Sequence, residues 1–351
     1  MLIVHGATLS GMASAARLAR RGHDATLRTA GHGPAGGLRA RGAPWPGGPR
    51  PARLARLGHD VTLVTDGNVL GEGWADDGPL LLPAAWRDLF KKSGAHLVTV
   101  LNAAGLELVA APPAERPLPG GVRFTLPAER GAQFRAVAAA FGEDEAARWR
   151  DLLDDLDDVW AAFRRHALEG TAPVETPAQR AALWLDRTVG EVAARLRGPL
   201  AGLVLAQAEA PEAPALAALP LSVERTFGRG RLFDSEGSPQ PSTRLVGLLA
   251  DRLAERGVVV ADDADGAVDI DAAPPSEWRP GTTSAEDWPA RIPIVGPDGA
   301  LRASAASPAG PEPWAQLGSA ALAVYALHER LTGEDPRPTN VDFRLPRLPR
   351  G

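Results

Sequence analysis

The sequence predicts an α/β fold, and two observations support this class. The chain opens with an apolar stretch of strand length, Leu2-Ile3-Val4, which runs into a glycine turn, Gly6–Gly11, and then into an Ala-rich helix. A helical pattern followed by a strand pattern returns late in the chain, at 244–256 and 258–260. A strand, a glycine turn and a helix in this order are typical of the first βαβ unit of a Rossmann-like dinucleotide-binding domain. We therefore predict such a domain, with a smaller α+β domain beside it.

The first helix is predicted from Ser10 to Arg21. Ser10 is the expected N-cap, and Gly22 is the expected end of the helix. The small residues Ala15 and Ala16 lie on one face of this helix, which lets it pack closely on a sheet.

A repeat leaves two candidates for the second strand. Residues 16–29 and 52–65 share eleven of fourteen positions. Only one of them can pair beside the first strand, and 60–64 is favoured because Val61, Leu63 and Val64 suit a buried strand. In the alternative, the first copy keeps this place and the second is an added edge strand. Residues 31–51, between the copies, are rich in Gly and Pro and are predicted to be a mobile surface insertion.

The domain boundaries follow from where these patterns stop and restart. Residues 1–75 and 227–335 are assigned to the Rossmann-like FAD/NAD(P)-binding domain, 76–226 to a substrate or cap domain, and 336–351 to an extended tail. The cap domain is predicted to begin with strands and to continue with helices.

Within and after the cap domain the patterns predict several elements. Short strands are expected in 97–109 and 122–126, around a turn-prone stretch at 112–121. Helices are expected at 83–93, 143–168, 177–185, 189–205 and 318–331.

Composition and charge argue against several classes of function. The chain has 38 basic and 43 acidic side chains, a balance that does not suggest a nucleic-acid partner. It has no cysteine, which excludes disulfides and thiolate metal sites. The histidines show no paired spacing for a metal, so no metal site is predicted. No basic leader with a long apolar stretch and no transmembrane segment is recognised, so a cytoplasmic location is expected, with peripheral membrane contact left open.

Several motifs together resemble one family. They are the glycine turn, the segment RLARLGHDVTLV, Val69-Leu70-Gly71-Glu72-Gly73, the stretch 78–83 and the terminal helix. In this combination the chain resembles the phytoene desaturase branch of FAD-dependent oxidoreductases, which is related to the amine oxidases. The resemblance implies that FAD binds to the dinucleotide-binding domain and that the second domain holds an apolar small-molecule substrate over the flavin.

The resemblance also implies which positions face the cofactor. The family's GxGxxG turn falls on Gly6, Thr8 and Gly11, with Leu9 and Ser10 at the start of the helix. The acid that binds the adenosine ribose falls on Thr65, with Asp66 beside it, or on Thr29 if the first repeat copy supplies the strand. The glycine pair that follows falls on Gly71 and Glu72. The aspartate near the last helix falls on Ser304. These nine positions are the predicted cofactor contacts: Gly6, Thr8, Leu9, Ser10, Gly11, Thr65, Asp66, Gly71 and Ser304.

Two functions remain open from the sequence. The first is an FAD-dependent oxidoreductase, in which Asp66 substitutes for the missing acid. The second is a cofactor-free relative that serves as a binding or scaffold protein, with a partner oxidoreductase as its expected partner. The departures from the family pattern lie on cofactor positions, which favours the second, while the resemblance itself favours the first, and the FAD-dependent oxidoreductase is taken as the leading expectation. The repeat and the insertion are also compatible with a misassembled reading frame. No catalytic side chain is assigned.

Overall fold

A computed structural model describes residues 1–20, 60–71, 78–170, 174–273 and 293–336. The described residues form ten strands, β1 to β10: Leu2–His5, Val61–Val64, Leu80–Leu81, Leu106–Ala110, Ala114–Pro117, Arg123–Leu126, Arg229–Asp234, Pro239–Gln240, Val259–Ala261 and Ile270–Asp271. They also form eleven α-helices, α1 to α11: Leu9–Arg20, Ala84–Lys92, Leu97–Ala103, Arg130–Phe141, Glu143–Phe163, Pro177–Ala182, Val189–Ala193, Ala201–Leu205, Leu219–Phe227, Arg244–Glu255 and Pro313–Thr332. A π-helical turn, Arg164–Leu168, extends α5.

A four-stranded parallel sheet forms the centre of the α/β part, with the order β10-β1-β2-β9. The predicted α/β class is therefore confirmed. Strand β2 pairs with β1 from Leu2 opposite Val61 to His5 opposite Val64. The prediction that 60–64 supplies the second strand is also confirmed. Residues 21–29 of the first copy and the insertion at 31–51 lie outside the described residues, as do residues 337–351 of the tail.

A smaller antiparallel sheet, ordered β3-β7-β4 with β8 on β7, adjoins the parallel sheet. Strand β7 belongs to this sheet, although its residues fall within the segment 227–335 that the sequence assigns to the other domain. One hydrophobic core joins the two sheets, since Leu80, Trp86 and Leu232 are buried with Val4 and Leu63. The proposed domain boundaries themselves stay a prediction.

A second core lies among the helices of the middle of the chain. Helix α5 buries one stripe of large side chains, including Trp149, Leu153 and Leu156, as its sequence pattern predicts. Most of its aspartates face outward or pair with arginines. No helix in the described ranges has both the length and the apolar character needed to cross a membrane.

Three predicted elements of the cap region are wrong. Residues 189–205, expected as one helix, form two short helices, α7 and α8, with residues 194–200 between them outside any helix. Residues 97–103 are helical and form α3, where strands were expected. The segment Pro112–Gly121, predicted to be a turn, contains strand β5, which pairs with β6 in a separate hairpin. Leu97 and Leu101 are both buried on one side of α3, and this helical spacing of four residues decides the local structure.

Candidate functional site

The glycine turn joins β1 to α1 at the carboxyl edge of the parallel sheet. Gly6 has a φ of 111°, and a Cβ at this position would lie 2.5 Å from the amide nitrogen of Ala273. A Cβ on Gly11 would lie 2.0 Å from the carbonyl oxygen of Gly6. Both positions therefore require glycine, Gly6 for its backbone conformation and Gly11 for the close approach of the helix to the turn.

Thr8 occupies the position of the family's second glycine, and its side chain is bonded within the protein. Its hydroxyl accepts a hydrogen bond from the N–H of Gly11 at 3.2 Å and donates one to the carbonyl oxygen of Ala272 at 2.9 Å. The first of these bonds is an N-cap interaction, because it satisfies an amide at the start of α1. Thr8 thus takes one of the N–H groups that an open turn would leave for a phosphate.

The other residues at the start of α1 are buried. Leu9 is 1 % exposed and Ser10 is 0 % exposed. The prediction that Ser10 caps the helix is wrong, because Ser10 lies inside the first turn and its hydroxyl is 3.4 Å from the carbonyl oxygen of Gln316. Helix α11 packs along α1 and covers this side of the turn.

Thr65 and Asp66 directly follow β2, and their side chains bond to different neighbouring strands. The buried Thr65 hydroxyl lies 3.3 Å from the carbonyl oxygen of Ala261 and 3.2 Å from Oδ1 of Asp262, on the neighbouring strand. Asp66 has a φ of 51°, which is unusual for a residue with a side chain. Its Oδ2 lies 2.6 Å from Nε2 of His5. Asp66 is therefore engaged by another residue of the same edge.

His5 stands between two carboxylates where three strands end. Its Nδ1 lies 3.0 Å from Oδ1 of Asp271, at the end of β10, while its Nε2 faces Asp66. The hydrogen bond to Asp271, with help from Asp66, raises the pKa of His5 to about 9 although burial opposes this. Burial would raise the pKa of Asp271, but hydrogen bonds from His5 and from the N–H of Ala273 lower it below its ordinary value. The imidazolium and the carboxylates hold the ends of β1, β2 and β10 together.

This His5 cluster, composed of His5, Asp66 and Asp271, was not predicted as a unit. The sequence places His5 immediately before the glycine turn, and the final residue of a parallel strand lies at the edge where ligands bind in α/β sheets. The position of His5 at the end of this strand is the feature of the sequence that could have pointed to the cluster. Asp271 is far away in the chain, and only the pairing of β10 with β1 brings it to His5.

Gly71 and Ser304 make contacts of their own rather than forming an open site with the turn. The N–H of Gly71 donates to the carbonyl oxygen of Ala7 at 2.7 Å, and its φ is 78°. The hydroxyl of Ser304 accepts from the N–H of Ala306 at 3.2 Å, and the residue is 3 % exposed. Glu72 lies outside the described residues.

These contacts bear on whether the residues fit FAD. The N–H of Gly11 already donates to the hydroxyl of Thr8, and the N–H of Gly71 already donates to the carbonyl oxygen of Ala7. Thr65 replaces the ribose-binding acid, and Asp66 is turned to His5. The His5 cluster also places the carboxylates of Asp66 and Asp271 at the end of β1, next to the glycine turn. The family's manner of holding FAD does not fit these residues as they are arranged, even though Gly6 and Gly11 keep their packing roles.

A mainly apolar pocket lies away from the glycine turn, between the end of α5, the start of α9 and the start of α11. Its volume is about 180 Å³. Its main apolar side chains are Phe163, Leu185, Leu216, Leu219, Pro220 and Trp314. The ring of Trp314 also packs edge-on against Trp160 and Phe163, with centroids 5.8 Å apart in each pair. A larger groove of about 470 Å³ lies between α2, α3 and β4, and its rim carries charges of both signs.

Comparison with protein-family models and with curated proteins finds no match. Within the described ranges, no group of three or more His, Asp or Glu side chains is arranged to hold a metal ion.

Proposed function

We propose that this protein binds an apolar small molecule on a dinucleotide-binding type of scaffold without holding FAD at the glycine turn. The observation that carries the proposal is the Thr8 side chain, which bonds to Gly11 and Ala272 in the place that a pyrophosphate would approach. Each strong charge-assisted hydrogen bond contributes about 1.5–3 kcal/mol, so the loss of two would weaken FAD binding by roughly two to four powers of ten.

The apolar cavity beside Trp314 supports the choice of ligand. The pocket is partly open to solvent and has a volume of about 180 Å³, which is comparable to that of apolar cavities that bind a single aromatic ring. Its lining is mainly aliphatic and aromatic, with Gln207 and Glu312 at the polar positions. A neutral ligand about the size of one ring matches this space.

A second function, an FAD-dependent oxidoreductase of the phytoene desaturase or amine oxidase type, is favoured by a different observation. Gly6 and Gly11 still make the close strand-to-helix contact on which a dinucleotide-binding turn depends. This function requires the turn around Thr8 to open. Under it, the ligand of the cavity would be the substrate.

The two functions are separated by the visible spectrum of the purified protein, followed by titration with FAD. We expect a colourless protein that does not quench flavin fluorescence when FAD is added. Flavin absorption bands at close to one flavin per chain would overturn the cofactor-free proposal and support the second function.

The ligand is tested separately with toluene as a neutral apolar probe. A ligand that binds only the folded state raises the melting temperature, so we expect toluene to raise the Tm of the wild-type protein. Ala217→Leu, which fills part of the cavity, should remove the shift. Leu205→Ala changes a residue that is 39 % exposed and outside the cavity, and should keep it. An equal shift in all three proteins would contradict binding in this cavity.

A further inference from the structure

One face of the antiparallel sheet carries an excess of positive charge. Arg229 and Arg231 alternate along β7 with Gly230 and Leu232, and Leu232 lies in the core shared by the two sheets. Side chains alternate between the faces of a strand, so both arginines lie on the opposite face. This face is directed towards α9, since Arg229 Nε lies 3.1 Å from Oε1 of Glu224.

A third arginine reaches the same carboxylate from the hairpin. Arg116, on β5, pairs with Oε2 of Glu224, so one glutamate serves two guanidinium groups. The side chains are well shielded, with exposed fractions of 28 % for Arg116, 16 % for Arg229 and 13 % for Glu224. Arg229 also donates to the carbonyl oxygen of Pro112 at 3.0 Å.

Some N–H donors of these arginines have no hydrogen-bond acceptor among the residues that the structure describes. The buried Nε atoms of Arg116 and Arg231 have no hydrogen-bond partner there. Burial lowers the pKa of Arg229, Glu224 opposes this, and Arg116 lowers it further. Glu107 stands on the same face of β4, diagonal to Arg231, but it is exposed. Among the described residues, the ion pairs of Arg116 and Arg229 involve one carboxylate, Glu224, and the guanidinium of Arg231 makes no ion pair.

We propose that Arg116, Arg229 and Arg231 form a binding site for a small oxyanion, either a carboxylate or a phosphate group. A guanidinium group presents parallel N–H donors that match the oxygens of both groups. The glutamate fixes two of the guanidinium groups in place, so part of the ordering cost is met before the ligand binds. This site is separate from the apolar cavity and from the glycine turn, and it does not depend on the function proposed above.

The test measures the melting temperature of the full chain with sodium phosphate, sodium acetate or sodium chloride at equal ionic strength. We expect a rise with phosphate or acetate that chloride does not produce. Phosphate also stabilises folded proteins without binding, so the anion whose rise is reduced in Arg231→Gln identifies the ligand class. Equal curves in all three salts would overturn the proposal, because they would reflect screening only.

Two variants test whether the anion binds at these arginines. Arg231→Gln removes a guanidinium group that does not share Glu224, so the ion triad of Arg116, Glu224 and Arg229 remains and the variant is expected to fold. We expect it to weaken oxyanion affinity about tenfold. Arg123→Gln is the control, since it removes an arginine of the hairpin that also carries Arg116, and the Arg123 side chain is 67 % exposed and paired with Glu115. If both variants respond to the anion as the wild type does, the site is not at these arginines.

Discussion

Thr8 Oγ1 lies 3.2 Å from the amide nitrogen of Gly11 and caps α1 with the protein's own hydroxyl group. Loss of an N-cap threonine costs about 1 kcal/mol, and the bond to Ala272 adds to this. We expect Thr8→Val, which keeps the shape and removes the hydroxyl, to lower the free energy of unfolding by about 1–2 kcal/mol. Urea denaturation measures the change. Thr8→Ser should keep most of the stability, and equal losses in the two variants would contradict the capping role.

The His5 cluster predicts a specific dependence of stability on pH. The pKa of His5 is raised from 6.5 to about 9 in the folded protein. Because the folded state binds the proton more tightly, the stabilisation is complete below pH 6.5 and is lost as the pH rises through about 9. The side chain is 27 % exposed, so we expect a loss on the order of 2 kcal/mol over this window.

Urea denaturation at a series of pH values checks the sign of this effect. His5→Gln should remove this part of the pH dependence, whereas His96→Gln, which changes an exposed histidine, should leave it in place. An NMR titration of the His5 ring that gave a pKa near the ordinary value would contradict the account.

Two glycine substitutions should change stability in opposite directions. Gly11→Ala places a Cβ 2.0 Å from the carbonyl oxygen of Gly6, which is backbone and cannot move alone. We expect it to cost about 3 kcal/mol or to prevent folding. Gly247→Ala lies in α10 with no atom within 4 Å of the new Cβ, and should stabilise the protein by about 0.5–1 kcal/mol. Thermal denaturation of both variants tests the comparison, and a stable Gly11→Ala protein would contradict the close helix-to-turn contact.

Arg225 is expected to be a main polar link between α9 and α5. It is 5 % exposed and donates to Asp154 at 2.9 Å, to Asp157 at 2.6 Å and to the carbonyl oxygen of Leu153 at 2.9 Å. Arg225→Met removes three hydrogen bonds, but both aspartates are partly exposed and keep other partners, Arg130 and Ser222, so we expect a loss of about 2 kcal/mol. The control is Arg195→Gln, which breaks an exposed pair with Asp155 on the same helix and should cost about 0.5 kcal/mol or less. Chemical denaturation measures the free energy of unfolding of both variants. Similar losses in the two would contradict a main role for Arg225 in linking α9 to α5.

The sequence alone determined the parts of the fold that depend on neighbouring residues. The start of the chain predicted β1, the glycine turn and α1 because strand, turn and helix patterns are local. The sequence also distinguished the two repeat copies, because Val61, Leu63 and Val64 are suited to a strand whose residues are all buried. The long apolar stripe of α5 likewise identified that helix.

Tertiary structure decided what the turn and the sheet edge can do. Thr8 bonds to Ala272, and His5 bonds to Asp271, across more than 260 positions of sequence. The pairing of β10 with β1 creates both contacts, and no local pattern encodes it. In the same way, Glu224 joins Arg116 to Arg229 only because the hairpin, α9 and β7 meet. Side-chain hydrogen bonding depends on distances between segments that are remote in the chain, so the sequence could predict the type of scaffold but not whether its binding groups are already occupied.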